Sequence, residues 1–321
     1  MRILFTSVGR RVELIQAFKE AANKLNTPLE IYGADLVNDA PALYFCDKQI
    51  MVPRISDPKY IDTLLTVCKK EKINCLIPTI DTDLLLLSEN KTRFEDINTK
   101  VFISSYDKVL LCRDKSLTSD YFRSLGLNSP SAVDNIADYS GGFPAFIKPK
   151  DGSSSINAFK VETYKQLENY ANQIEEYVIQ PFVSGKEYTI DIFCDYYGNP
   201  IFITPRERLA VRSGEVLKTK ICQNQEMIEE MKKLVSDFKP SGAITVQLIQ
   251  NELDNKNYYI EINPRFGGGS PLSIKAGADS AAEAIRVINN EKTCFIENAA
   301  KDGLIFSRFD QSICINGEHN L

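Results

Sequence analysis

The feature that most constrains the fold is a repeated order of elements in the first hundred residues. Residues 2–7 are a short apolar run, Gly9 turns the chain, and apolar residues at 12, 14, 15, 18, 21, 22 and 25 follow a helical spacing. A second apolar run at 29–34 ends in Asp35. Strand, helix, strand in so few residues is a βαβ unit and implies a parallel sheet. The alternation goes on with a strand at 49–52, a helix at 58–71, a strand at 75–78 and a closing strand at 101–104. Loops that leave parallel strands share one sheet edge, so Gly9, Arg10, Asp35, Asp81 and Asp83 should gather there. Asp81 and Asp83 read equally well as caps of the helix they introduce. The first loop, TSVGRR, lacks the G-x-G-x-x-G spacing, so only the βαβ unit speaks for a nicotinamide dehydrogenase.

Composition removes several other classes. A net charge of −5 with interspersed signs leaves no basic stripe for nucleic acid. Eight cysteines lie scattered without a CxxC pair, mostly in apolar runs, and the only histidine is His319. That makes structural zinc, a disulfide scaffold, and a Ser-His-Asp or Cys-His enzyme poor expectations. The N-terminus lacks the pattern of a signal peptide and no apolar run reaches membrane length, so the expected location is the cytoplasm.

The second organising stretch is YYIEINPRFGGG, residues 258–269. Strand parity would put Tyr259, Glu261, Asn263 and Arg265 on one face and Ile260 and Ile262 on the other. A carboxylate and an amide two residues apart are hard oxygen ligands separated by about 7 Å along a strand. Upstream, AITVQLIQ at 243–250 is apolar and β-branched except for Gln247, and a polar turn follows. A hairpin centred near Asp254 sets Gln247 opposite Glu261, about 5 Å away. Pro264 ends the ladder, and the glycines at 267–269 let backbone approach a ligand.

This set of Gln247, Glu261, Asn263 and Arg265 resembles the metal and phosphate site of the ATP-grasp superfamily, in particular the carbamoyl phosphate synthetase large subunit and smaller carboxylate-amine ligases. The resemblance implies an α/β fold: a pre-ATP-grasp, Rossmann-like parallel-sheet domain over 1–112, then a two-lobed α+β ATP-grasp domain over 113–310. Its first lobe would be 113–183 and its second 184–310, with 311–321 as a tail. It implies that Gln247, Glu261 and Asn263 hold Mg²⁺ or Mn²⁺, and that ATP meets Lys115, Lys148 and the flap residues Gly152, Ser153 and Ser154. Lys148 also ends an apolar strand, an awkward place for an ammonium unless an anion waits there. Gln180, Phe182 and Val183 fall on the adenine hinge, and Glu187 falls where an acid takes the ribose hydroxyls. Gln180 stands where many relatives carry Glu, which weakens the side-chain part of that hinge and leaves its backbone part. The charged run after a strand at 201–204 holds Arg206, Arg208 and Arg212, guanidinium forks suited to phosphate or carboxylate. Arg265, Arg206 and Arg212 are the expected catalytic set.

By resemblance, Mg-ATP phosphorylates a carboxylate, and an amine attacks the acyl phosphate to release ADP and phosphate. The partners would be small-molecule substrates, with neither nucleic acid nor membrane, and a homodimer stays open. A non-catalytic nucleotide sensor and a variant that phosphorylates bicarbonate or carbamate are the competing readings.

Overall fold

The computed structural model describes residues 1–152 and 156–315. Five parallel strands form the first sheet: β1 (Arg2–Thr6), β2 (Glu30–Asp35), β3 (Lys48–Met51), β4 (Cys75–Pro78) and β5 (Lys100–Val101), in the order β3-β2-β1-β4-β5. Helices cover both faces, as a sheet whose central strands are wholly apolar requires. Val12–Lys24 packs Leu14, Ile15 and Phe18 on one side, and Tyr60–Glu71 packs Ile61 and Leu64 on the other.

A small antiparallel sheet follows, from β6 (Ala145–Pro149), β7 (Phe159–Val161) and β8 (Tyr177–Pro181), in the order β7-β6-β8. The third sheet is six-stranded and antiparallel: β9 (Gly185–Cys194), β10 (Pro200–Arg212), β11 (Glu215–Ile221), β12 (Ala243–Asn251), β13 (Asn257–Asn263) and β14 (Ile305–Ser307), ordered β13-β12-β9-β10-β11-β14. Its apolar face carries Ile190, Ile192, Ile244, Val246 and Ile262 against helix Gln225–Phe238, an amphipathic helix that buries Met227, Met231, Leu234 and Phe238. The opposite face is apolar only at one end, where Phe193 and Phe202 join Phe266, from the turn after β13, in the same core as Phe18 of the N-terminal domain. At its other end that face is polar.

Three expectations are corrected here. The charged run 205–212 is strand, not loop: β10 is 13 residues long and turns through Gly214 into β11. Strand β9 and strand β11 pair with it on both sides, and that tertiary pairing outweighs its charges. The span 271–289, whose Ala-rich packing positions read in the sequence as one helix, is two helices, Ser270–Lys275 and Ser280–Ile288, broken at Gly277, whose φ of +120° no helix accommodates. Tyr259 lies on the apolar face rather than beside Glu261. A bulge between Gln247 and Leu248 in the β12–β13 register sets two residues, Ile260 and Tyr259, against one step of β12 and flips the parity. Tyr259 is therefore buried against Phe122, with its hydroxyl donating to Glu230 at 2.6 Å.

Candidate active site

The polar face of the six-stranded sheet is ruled by its register. Glu261, Gln247, Thr189 and Arg206 are neighbours across β13, β12, β9 and β10, and Asn263, Thr245, Asp191 and Thr204 form the next row. Residues paired in antiparallel strands share a face. Gln247 lies opposite Glu261, as the hairpin argument requires. Asn263 Nδ2 donates to Glu261 Oε1 at 3.0 Å, which leaves the Asn263 oxygen facing Arg265, whose Nη2 lies 3.5 Å away.

The two lysines come from the other lobe. Lys148 is the penultimate residue of β6 and is buried; desolvation lowers its ammonium pKa to about 8, Glu261 opposes that shift and Lys115 adds to it. Lys115 opens helix Lys115–Ser124, and its Nζ donates to the carbonyls of Gly152 at 2.9 Å and Lys150 at 3.3 Å. Burial lowers its pKa too, again opposed first by Glu261. One carboxylate thus sits in the field of two desolvated ammonium groups. A cleft of about 610 Å³, open to solvent, joins Lys115, Gly152, Glu261 and Asn263 to Asp81 and Cys112.

Asp81 brings the first sheet to this cleft. Its carboxylate accepts from Arg265 Nη2 at 2.7 Å instead of capping a helix. Asp83 holds the N-cap position but turns its side chain to Thr6 and Tyr60, at 2.8 and 3.1 Å, and is buried. Gly9 and Asp35 do meet, Gly9 N donating at 2.8 Å, whereas Arg10 points out to Asp310 on the rim. Arg11, which carries no motif that would single it out, enters the site. Desolvation first, and Arg265 second, depress its pKa, and its Nη2 reaches Thr79 O at 3.3 Å.

The arginines of β10 divide sharply. Arg206 is buried and spent on Asp191: Nε to Oδ2 is 2.7 Å and Nη2 to Oδ1 is 3.3 Å, with Ser270 and Ser273 donating to the same carboxylate at 3.1 and 2.5 Å. A Cβ on Gly269 would stand 2.7 Å from the Arg206 Nη2, so this network explains one glycine of the run. Arg212 is exposed at the hairpin tip and pairs with Asp310 at 3.3 Å. The structure brings neither into the cleft. Arg208, left out of the expected catalytic set, donates to Gln247 Oε1 at 2.9 Å.

At the adenine hinge, Gln180 is buried and its Nε2 donates to Pro130 O at 3.1 Å. The Phe182 N–H donates to Pro144 O at 3.1 Å, which uses one of the backbone groups expected to read a purine; Val183 follows it, half-buried. Glu187 is half-exposed, its Oε2 3.5 Å from Arg208 Nε. Ser153 and Ser154 lie outside the described residues.

The donor set suits a hard cation. Among the described residues no three His, Cys, Asp or Glu side chains cluster as metal ligands. A divalent ion at this hairpin would have one carboxylate, Glu261, and the amide oxygens of Gln247 and Asn263, a set that fits Mg²⁺ when phosphate oxygens complete the shell.

Two family models match the chain. A model of the ATP-grasp domain matches residues 112–269, and one of the PylC-like N-terminal domain matches residues 3–102. The chain carries an ATP-grasp domain behind a PylC-like N-terminal domain. A curated relative, the N-terminal section of the carbamoyl phosphate synthase large chain of Aquifex aeolicus, is 24% identical over an aligned length of 305, gaps included, that covers 84% of this chain and 53% of the relative. The arginine-specific large chain of Arabidopsis thaliana chloroplasts is 21% identical over an aligned length of 300 that covers 84% of this chain and 25% of that one. The chain therefore spans about half of the first relative and a quarter of the second. Among solved structures, the biotin carboxylase domain of Hydrogenobacter thermophilus 2-oxoglutarate carboxylase, a dimer in complex with MgADP, ADP and bicarbonate, superposes with a TM-score of 0.75 at 15% identity, covering 95% of this chain and 73% of that one. The L-amino acid ligase of Bacillus licheniformis gives 0.70 at 17% identity, covering 89% and 74%. These likenesses establish the ATP-grasp fold. No helix among the described residues is long and apolar enough to cross a membrane.

Proposed function

We propose that this ATP-grasp protein is an ADP-forming ligase that activates a small-molecule carboxylate as an acyl phosphate for attack by an amine. The observation that carries the reading is Glu261, flanked by Asn263 and Gln247 on one hairpin and set in the field of Lys148 and Lys115 from the opposite lobe. A metal hairpin facing two ammonium groups across a cleft is the arrangement that neutralises a transferred phosphoryl group.

In this reading Lys148 and Lys115 bind the phosphates of ATP, Gly152, Ser153 and Ser154 are the nucleotide-binding residues of the intervening stretch, and Glu261, Asn263 and Gln247 hold Mg²⁺. The ion would supply charge neutralisation of the phosphate oxygens. Arg265, fixed by Asp81, orients the acceptor carboxylate. Gln180, Phe182 and Val183 line the purine and Glu187 meets the ribose. The reading divides the chain at 112 and into lobes of 113–183 and 184–310, with the acceptor bound beside the loops of the first sheet, where Asp81 meets Arg265. The reaction would run in the cytoplasm, where ATP is supplied.

No protein nucleophile is needed. Cys112 lines the cleft, but burial raises its thiol well above the ordinary cysteine range, which keeps it protonated and poorly nucleophilic. The γ-phosphoryl would then pass directly to a substrate oxygen. The test is a screen of carboxylic acids with Mg-ATP and hydroxylamine. A hydroxamate formed together with ADP is expected; AMP and pyrophosphate would mean acyl-adenylate chemistry and overturn the mechanism.

A further inference from the structure

Arg208 makes a contact that the phosphoryl-transfer reading does not use. It stands on β10, one step beyond the Glu207–Tyr188 pair, so Glu187 is its neighbour on β9. Its guanidinium also reaches Gln247 on β12, the strand beyond β9. Two strand spacings amount to about 10 Å, a distance that only a long side chain spans. The fork is fully deployed. Nη1 donates to Gln247 Oε1 at 2.9 Å, Nη2 donates to Gly214 O at 2.9 Å, and Nε lies 3.5 Å from Glu187 Oε2. The side chain is only 7% exposed, and its buried Nε makes no hydrogen bond.

Such a residue is poor structural material. A buried guanidinium is costly unless a carboxylate meets it squarely, as Asp191 meets Arg206 on the same face. Arg208 has instead a neutral amide, a carbonyl and a half-exposed acid. What it does accomplish is orientation. An amide is nearly symmetric in shape, but only its oxygen can ligate a cation, and a donor at 2.9 Å selects the rotamer that presents Oε1. The second oxygen lone pair stays available. The same guanidinium attracts Glu187 toward the sheet.

We propose that Arg208 is a positioning residue that couples the ribose end of the nucleotide site to its metal end, holding Glu187 and Gln247 from a single guanidinium. The proposal rests on the assignment of Glu187 to ribose and Gln247 to the metal made above. Lysine could not replace it, because one ammonium cannot address both groups in fixed directions.

The experiment is calorimetric titration of the full chain with a non-hydrolysable ATP analogue and its 2′-deoxy counterpart, in Mg²⁺, on the parent, Arg208→Met and Arg208→Lys. A hydrogen bond to a charged acceptor corresponds to a preference of about 10-fold or more, so the parent should favour the ribonucleotide by at least that factor. Arg208→Met should bring the preference to within about 2-fold and raise the Mg²⁺ concentration for half-saturation by about 10-fold. Arg208→Lys should recover one of these properties and not both. If Arg208→Met weakens both nucleotides by the same factor, with ribose preference and Mg²⁺ dependence intact, Arg208 is only structural and the proposal is wrong. Should that variant fail to fold, retention of both properties by Arg208→Lys overturns it equally. A parent that binds nucleotide without ribose preference overturns it while leaving the ligase reading standing, whereas a parent that binds no nucleotide overturns both.

Discussion

Replacing Arg206 by alanine separates two roles that the sequence alone cannot separate. In the structure the guanidinium makes two hydrogen bonds to Asp191, at 2.7 and 3.3 Å, with both residues buried. Truncation would leave Asp191 with the hydroxyls of Ser270 and Ser273 and no counter-charge. Removing one partner of a buried ion pair costs about 3–5 kcal/mol, because the remaining charge is desolvated and uncompensated. Arg206 is also among the largest fully buried side chains, so a cavity adds to that loss. For a chain of this size the result is a fall in Tm of roughly 5–15 °C. The protein has no tryptophan, so unfolding is best followed by far-UV circular dichroism. Arg212→Ala is the control: its exposed pair with Asp310 should be worth no more than about 0.5 kcal/mol. If Arg206→Ala keeps a Tm within about 2 °C of the parent yet loses all turnover, the buried-pair argument is refuted and Arg206 belongs to the reacting groups.

Two further outcomes follow from the site. Glu261→Gln should abolish ADP formation and, because it removes the acid that offsets the burial of Lys148 and Lys115, also lower the melting transition of the nucleotide-free protein without preventing folding; unchanged turnover would remove Glu261 from the metal set. Lys148→Met should stabilise the nucleotide-free protein at pH 7 by up to about 3 kcal/mol, the equivalent of lowering a lysine from 10.5 to about 8. The sign follows from proton binding: between pH 8 and 10.5 the unfolded chain holds a proton that the folded Lys148 has released, so parent stability rises with pH and the mutant's advantage fades there. The same variant should lose the thermal shift produced by Mg-ATP; a full shift would take Lys148 off the phosphates.

Much of the architecture was legible because it is written in local periods. The alternation of apolar runs and helical spacings before residue 102 is enough for a parallel sheet, and the strand order β3-β2-β1-β4-β5 is what such units build. The Gln247–Glu261 pairing is the one expected from a hairpin centred near Asp254, but the pairs next to the turn, Leu248–Tyr259 to Gln250–Asn257, sit one residue off that register, and it is the bulge that brings Gln247 opposite Glu261. The bulge was not legible. Nothing local to Tyr259 distinguishes a residue beside Glu261 from one packed on Phe122, and only the tertiary contact settles it. Strand β10 was missed for a related reason: Arg206, Glu207 and Arg208 look like a solvated loop until β9 and β11 supply partners on both sides.

The choice among the β10 arginines shows where sequence reasoning stops and why. Arg206 and Arg208 are two residues apart on one strand face, with the same side-chain chemistry and nearly the same flanks. What separates them is Asp191, a carboxylate at the parity of Glu187 and Thr189 within the otherwise apolar run TIDIFC. An acid in that position must find a cation on a neighbouring strand, and the register places Arg206, not Arg208, beside the Thr189 and Asp191 rows. Once Arg206 is committed there, its guanidinium locks against Gly269, and Ser270 and Ser273 tie the following helix to the same carboxylate. Arg208 is then the one β10 arginine whose donors reach Gln247. The buried pair thus acts on the chemistry without touching it, by fixing the glycine turn behind Arg265 and leaving the cleft side of the sheet to a different guanidinium.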